Sequence, residues 1–265
     1  MNRLQVTTAA GTAALLTVLL GAPLPAWAEH TSYLSAIEAI NKAGRQRMLS
    51  QRIVKSYLQT AEGIAADAAR AQLAEAITVF DDQLGDLKSF ETEPDLLAPY
   101  FALETEWLAF RAYVTATPNR ESAKALFVVS QRLLEAAERN TAALEQHAGG
   151  ASARLVNISG RQRMLSQRIA KDYLYLGAHF DDPSIKKELA TAREDFGRAL
   201  AELSSAPQNT DEIRQELAVV ATQWKELQPM LARERPTVAE RAKLVAMTDA
   251  ILARMERVTS LYQKP

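Results

Sequence analysis

Apolar side chains recur along the chain three or four residues apart. Leu73, Ile77, Phe80, Leu84 and Leu87 show the pattern clearly, and this spacing lines one face of an α-helix. Segments of this kind are rich in Ala, Leu, Glu, Arg and Gln, all good helix formers. They are separated by breaks at 61–67, 91–95, 117–121, 147–152, 180–184, 204–210 and 232–237, where half of the Gly and Pro outside the first residues fall. Asp, Ser, Asn and Thr within the breaks are candidate N-caps. The pattern predicts eight helices, no strand and an all-α fold.

The pattern also repeats. "GRQRMLSQRI" stands at residues 44–53 and, letter for letter, at 160–169. A shift of 116 residues carries Asn41 onto Asn157, Lys55 onto Lys171, Tyr57 onto Tyr173, Leu73 onto Leu189, Phe80 onto Phe196 and Leu84 onto Leu200. One further residue pairs Trp107 with Trp224, and one more pairs Glu138–Arg139 with Glu256–Arg257. Outside the block the shared positions are mostly apolar and helically spaced. The expected organisation is therefore two tandem up-down-up-down four-helix bundles, residues 29–148 and 151–265, forming a pseudo-dimer.

On a helical wheel, Tyr33, Ile37, Ile40, Met48 and Leu58 form an apolar stripe, and Gly44, Arg47, Gln51 and Lys55 interrupt it. Leu49, Ile53 and Tyr57 line the opposite side, so this helix is expected to lie between two packed surfaces. A buried arginine is costly unless it is paired, and the block holds no acidic residue. Its partner is either a carboxylate from another helix or an anion from outside. Gly44 and Gly160 each cost a helix about 0.5–1 kcal/mol relative to alanine, and close approach of a ligand or a backbone would explain them.

Four antiparallel helices return the chain to its starting end, so the fifth can run beside the first and parallel to it. Arg47 would then face Arg163. Two guanidiniums about 5 Å apart repel by roughly 3 kcal/mol at an effective dielectric near 20, and a small planar oxyanion between them turns repulsion into charge-assisted hydrogen bonds. The competing arrangement is one continuous helix through Gly149–Gly150, which would hold the two blocks far apart.

The first residues read differently. Arg3 precedes an uncharged run over residues 4–28 that ends in "AWA" at 26–28. This matches a secretory signal peptide over residues 1–28, cleaved after Ala28; an uncleaved anchor is the alternative. No later segment has the run of about 18 apolar residues that a membrane helix needs, so a periplasmic protein is expected. There is no cysteine, and the formal net charge is -1, which argues against a nucleic-acid partner. The three histidines are not spaced for a metal site. No cofactor is implied, and no nucleophile–base arrangement points to an enzyme.

The segments "INKAGRQRMLSQRIVK" (40–55) and "VNISGRQRMLSQRIAK" (156–171) resemble the signature helix of the PilJ/NarX-type sensor domain. That domain is the extracytoplasmic part of type IV pilus chemoreceptor-like proteins and of nitrate/nitrite sensor kinases. The resemblance implies a four-helix bundle whose first helix carries an anion-binding box. By that likeness Arg47 and Arg163 match the gripping arginine, Gly44 and Gly160 the glycine, Arg52 and Arg168 the downstream arginine, and Lys42 the lysine before Ala-Gly. Ile158 replaces that lysine in the second copy. With Asn41, Asn157, Gln51 and Gln167 these are the candidate ligand-binding residues. The wording is nearer the pilus-receptor branch, and no signalling segment follows the eighth helix. The expected function is binding or sensing of a small oxyanion, nitrate or nitrite, with a membrane sensor or receptor as partner. The alternative is a ligand-independent helical module that docks such a receptor or a pilus-related protein.

Overall fold

The computed structural model describes residues 34–90, 93–180, 182–233 and 235–264. The expected leader at 1–28 and its expected cleavage point, with His30 and Tyr33, lie outside these. Eight α-helices are present among the described residues: α1 (Ala36–Ala61), α2 (Ala66–Phe90), α3 (Pro94–Val114), α4 (Arg120–Ala148), α5 (Gly150–Gly177), α6 (Pro183–Ser204), α7 (Asp211–Leu227) and α8 (Val238–Tyr262). A short 3-10 turn, Met230–Ala232, precedes α8. The breaks supply caps: the side chains of Asn119, Asp182 and Thr210 accept from Ser122, Ser184 and Ile213 backbone N–H groups. Thr237 and Glu240 form a capping box, satisfying two helix-end donors reciprocally.

Helix directions follow from the contacts. Asn41, Arg45 and Lys55 of α1, and Glu62 at its C-cap, meet Gln263 at the α8 C-cap and Glu256, Asp249 and Arg241 of α8, in reverse order. Arg163 and Gln167 of α5 meet Glu256 and Asp249 of α8, so α5 also runs against α8. Helices α1 and α5 are therefore parallel. Their contact is the largest helix–helix interface, and the described helices form one compact unit. Gly149 and Gly150, at φ +64° and +81°, break the chain between α4 and α5. Left-handed backbone suits glycine and removes the continuous-helix alternative.

The two sets of four helices repeat the same packing, with α2 and α4 against α1, and α6 and α8 against α5. Helices α3 and α7 pack on α4 and α8. From Ala39 to Gln59 nearly every residue of α1 is buried, the outcome expected of a helix held between two surfaces. Trp107 stacks on Phe80 with ring centroids 3.8 Å apart, and its indole N–H donates to Asp81 (2.7 Å). Trp224 meets Phe196 in the second set at 4.3 Å.

Trp107→Ala is expected to destabilise the protein by about 3–5 kcal/mol, the usual cost of emptying a large aromatic site. Urea denaturation of the variant checks this; a loss under about 1 kcal/mol would mean that α2 and α3 do not depend on the stacked pair.

Candidate anion site at the α1–α5 crossing

Gly44 and Gly160 let α1 and α5 touch. A Cβ built on Gly44 would lie 3.9 Å from the Gly160 Cα, 3.2 Å from Arg47 Nη2 and 3.6 Å from Arg163 Nη2. The same construction on Gly160 meets Arg163 Nη2 at 3.2 Å and Arg47 Nη2 at 3.3 Å. Both guanidiniums thus converge on the glycine crossing, each only 1 % exposed. Arg47 Nη2 donates to the Asn157 side-chain oxygen (2.7 Å) and backbone carbonyl (3.2 Å). Arg163 Nη2 does the same with Asn41, at 2.7 and 3.3 Å.

Charge compensation comes from other helices. Arg47 Nη1 donates to Glu138 of α4 at 2.8 Å. Burial works to raise the Glu138 carboxyl, but the charges of Arg47 and Arg161 overcome it and hold the group below the usual carboxylate range. In the other half Glu256 serves two arginines, Arg45 at 3.0 Å and Arg163 at 3.8 Å. Burial brings the Arg163 guanidinium down to about 9, Glu256 opposing this and Arg45 and Arg47 adding to it. It remains a cation at neutral pH. The Nε atoms of Arg47 and Arg163 are buried without a hydrogen-bond partner.

The remaining candidates divide. Gln51 and Gln167 are buried one turn further along; Gln51 donates to Ser50 (3.0 Å) and Gln167 to Asp249 (3.0 Å). Their side-chain carbonyl oxygens lack partners. Lys42 instead pairs with Asp86 of α2, and its counterpart Ile158 packs against the core. Arg168 reaches Glu188 of α6 at 3.3 Å. Arg52, its repeat equivalent, lies five residues beyond Arg47, a rotation of about 140° along a helix. Neither belongs to the glycine crossing.

Much of the block's repetition has a packing cause. Gln46 and Gln162 donate to the backbone carbonyls of Phe80 and Phe196 (3.1 and 2.9 Å). Ser50 and Ser166 bond back to the carbonyls of Arg47 and Arg163, both at 2.7 Å. Sequence reasoning assigned no role to Glu138 and Glu256. The signal was present, since both recur as Glu-Arg pairs in the two halves.

Further along the same helices the symmetry breaks. Lys55, wholly buried, pairs with Asp249 at 2.6 Å; burial lowers its ammonium to about 8, with Asp249 opposing. Lys171 is held instead by Asp172 (3.2 Å) and Glu188 (3.6 Å). Burial, with Glu188 nearby, pushes Asp172 up to about 6 against the pull of Lys171 and Arg168. The native state keeps this proton where an unfolded aspartate, near 3.9, has lost it. Its contribution to stability therefore falls as pH rises from about 4 through about 6. Asp172→Asn is expected to remove that slope and to stabilise the protein above about pH 7. Denaturant titrations of both proteins across this range test it; parallel curves would show that Asp172 titrates in the folded protein as it does in the unfolded chain.

A family sequence profile described as "Type IV pili methyl-accepting chemotaxis transducer N-term", PilJ, matches residues 31–133 and again 146–249. No curated protein and no solved structure matches the chain. The two profile matches each contain one copy of the block with its glycine and its buried arginine, and together they span most of the sequence. The chain belongs to the PilJ family, carrying two tandem copies of its domain.

Proposed function

We propose that this chain is a sensing module whose ligand is a small planar oxyanion, nitrate or nitrite, received between Arg47 and Arg163. Membership of a chemotaxis-transducer family supports a sensing role. The observation that carries the anion reading is the convergence of two buried guanidiniums on one pair of glycines. Their Nη2 atoms are held by the neutral amide oxygens of Asn41 and Asn157. An anion is the stronger acceptor for a guanidinium and would displace them. Displacement at the crossing shifts α1 against α5, and a membrane receptor would read that shift. The 1 % exposure of both arginines disfavours direct docking of a partner's acidic helix on them. In this reading residues 1–28 act as an export leader to the periplasm, with one copy of the domain over 29–148 and the other over 151–265.

Isothermal titration calorimetry with nitrate, nitrite, sulfate and chloride is the test. Nitrate or nitrite is expected to bind, and sulfate and chloride to bind at least about tenfold more weakly. Arg47→Gln with Arg163→Gln is expected to abolish binding. Gly44→Ala with Gly160→Ala fills the space between the guanidiniums while adding helix propensity, so it is expected to lose binding yet stay folded by circular dichroism. No heat from any anion, or binding that survives both double variants, would sink the proposal.

A further inference from the structure

A side-chain amide accepts at its oxygen and donates at its nitrogen, and Asn41 and Asn157 use both ends. The Asn157 oxygen accepts from Arg47 Nη2 (2.7 Å), while its nitrogen donates to Glu145 in the last turn of α4. The Asn41 oxygen accepts from Arg163 Nη2 (2.7 Å), while its nitrogen donates to Gln263 at the α8 C-cap (2.8 Å). The arginines fix these orientations, since a guanidinium only donates. Each amide also belongs to the opposite half from the two groups it joins. Asn157 of α5 links α1 to α4, and Asn41 of α1 links α5 to α8.

The duplication supplies a control. Residues 145 and 263 are repeat equivalents, on the same shift that carries Glu138 onto Glu256, yet one is an acid and the other a neutral amide. Each nonetheless accepts from the asparagine of the opposite half. A contact present in both halves despite the change of charge is more than a local ion pair. Both positions lie at the end of the molecule where α1 and α5 begin. Glu145 anchors the turn into α5, its carbonyl accepting from the Gly149 N–H at 2.8 Å. Gln263 closes α8, its N–H donating to the Thr259 carbonyl at 3.2 Å.

We infer that the Asn41 and Asn157 amides are latches that couple the arginine crossing to the last turns of α8 and α4, the end that a receptor reads. The trigger rests on the crossing being the anion site proposed above. An anion that takes the Nη2 donors leaves each amide oxygen without its partner. Both asparagines are half-buried, so turning toward water restores the lost bond. The amide is planar, and its nitrogen therefore leaves the helix end as its oxygen leaves the arginine. The two ends do not yield equally. Asn157 holds a carboxylate, a stronger acceptor than the Gln263 amide, so α8 releases first.

Hydrogen–deuterium exchange of the whole protein, read over residues 259–264 and 143–149, tests the coupling. Without ligand, Asn41→Ala and Arg163→Gln are each expected to speed exchange at 259–264 about fivefold, the scale of one hydrogen bond, and to leave 143–149 unchanged. Asn157→Ala and Arg47→Gln are expected to do the reverse. General loosening would move both ends in every variant, so the crossed pattern is specific to the latches. Arg163→Lys keeps the buried charge without Nη2 and should act as Arg163→Gln does, which covers a failure of the latter to fold. In the wild-type protein, saturating nitrate is expected to speed exchange at 259–264 more than at 143–149. Asn41→Ala is expected to bind nitrate at least as tightly, because the anion no longer displaces that acceptor, and to show no further change at 259–264. Unchanged exchange at 259–264 in both Arg163 variants, equal loosening of both ends, or nitrate binding by calorimetry with neither end altered would overturn the coupling. Calorimetry without nitrate heat would instead remove the anion as trigger, and the crossed pattern of the ligand-free variants would still decide whether the latches exist.

Discussion

Two guanidiniums buried at one helix crossing impose the constraint around which the rest of this molecule is arranged. Arg47 and Arg163 lie where α1 and α5 come closest, with only Gly44 and Gly160 between the backbones. Buried like charges are tolerated only when other groups compensate them, and here every compensating group comes from a different helix. Glu138 enters from α4 and Glu256 from α8, while Asn41 and Asn157 each reach across to the opposite half. The charge requirement therefore ties four helices together at one level. It explains why the polar residues of the block repeat alongside its apolar ones.

The same arrangement suits a sensor. A crossing held by neutral amide acceptors and shared carboxylates is satisfied but not saturated, since both arginine Nε atoms lack partners. A ligand that competes for such donors acts on both halves at once. The tandem chain also keeps the halves together by covalent linkage, so pairing does not depend on protein concentration.

Divergence between the halves is informative because their scaffold is shared. At the centre the bonds of Gln46 and Gln162, and of Ser50 and Ser166, match in partner. Toward the far end of the same helices, Lys55 is neutralised by Asp249 of α8, whereas Lys171 is neutralised from within its own half by Asp172 and Glu188. Position 63 is glycine while position 179 is histidine, on the same left-handed turn. The centre tolerates little change because both halves meet there, and the ends, each facing its own surroundings, are free to differ.

Helix number, the duplication and the identity of the central arginines were legible in the sequence. Helical spacing, turn residues and a verbatim repeat are local properties, and a glycine–arginine block inside an apolar stripe announces a buried charge. The parallel packing of α1 on α5 was legible only as one of two options, decided by the left-handed backbone at Gly149 and Gly150. What the sequence could not reveal is who pairs with whom. Glu138 lies 91 residues from Arg47, and Glu256 serves Arg45 and Arg163 from opposite halves. Lys42 and Arg168 share the block's helix with Arg47 or Arg163, yet they turn to other neighbours. Periodicity along one helix tells which side chains share a face, but the direction each face looks is set by the helices that close around it, and only the tertiary structure decides that.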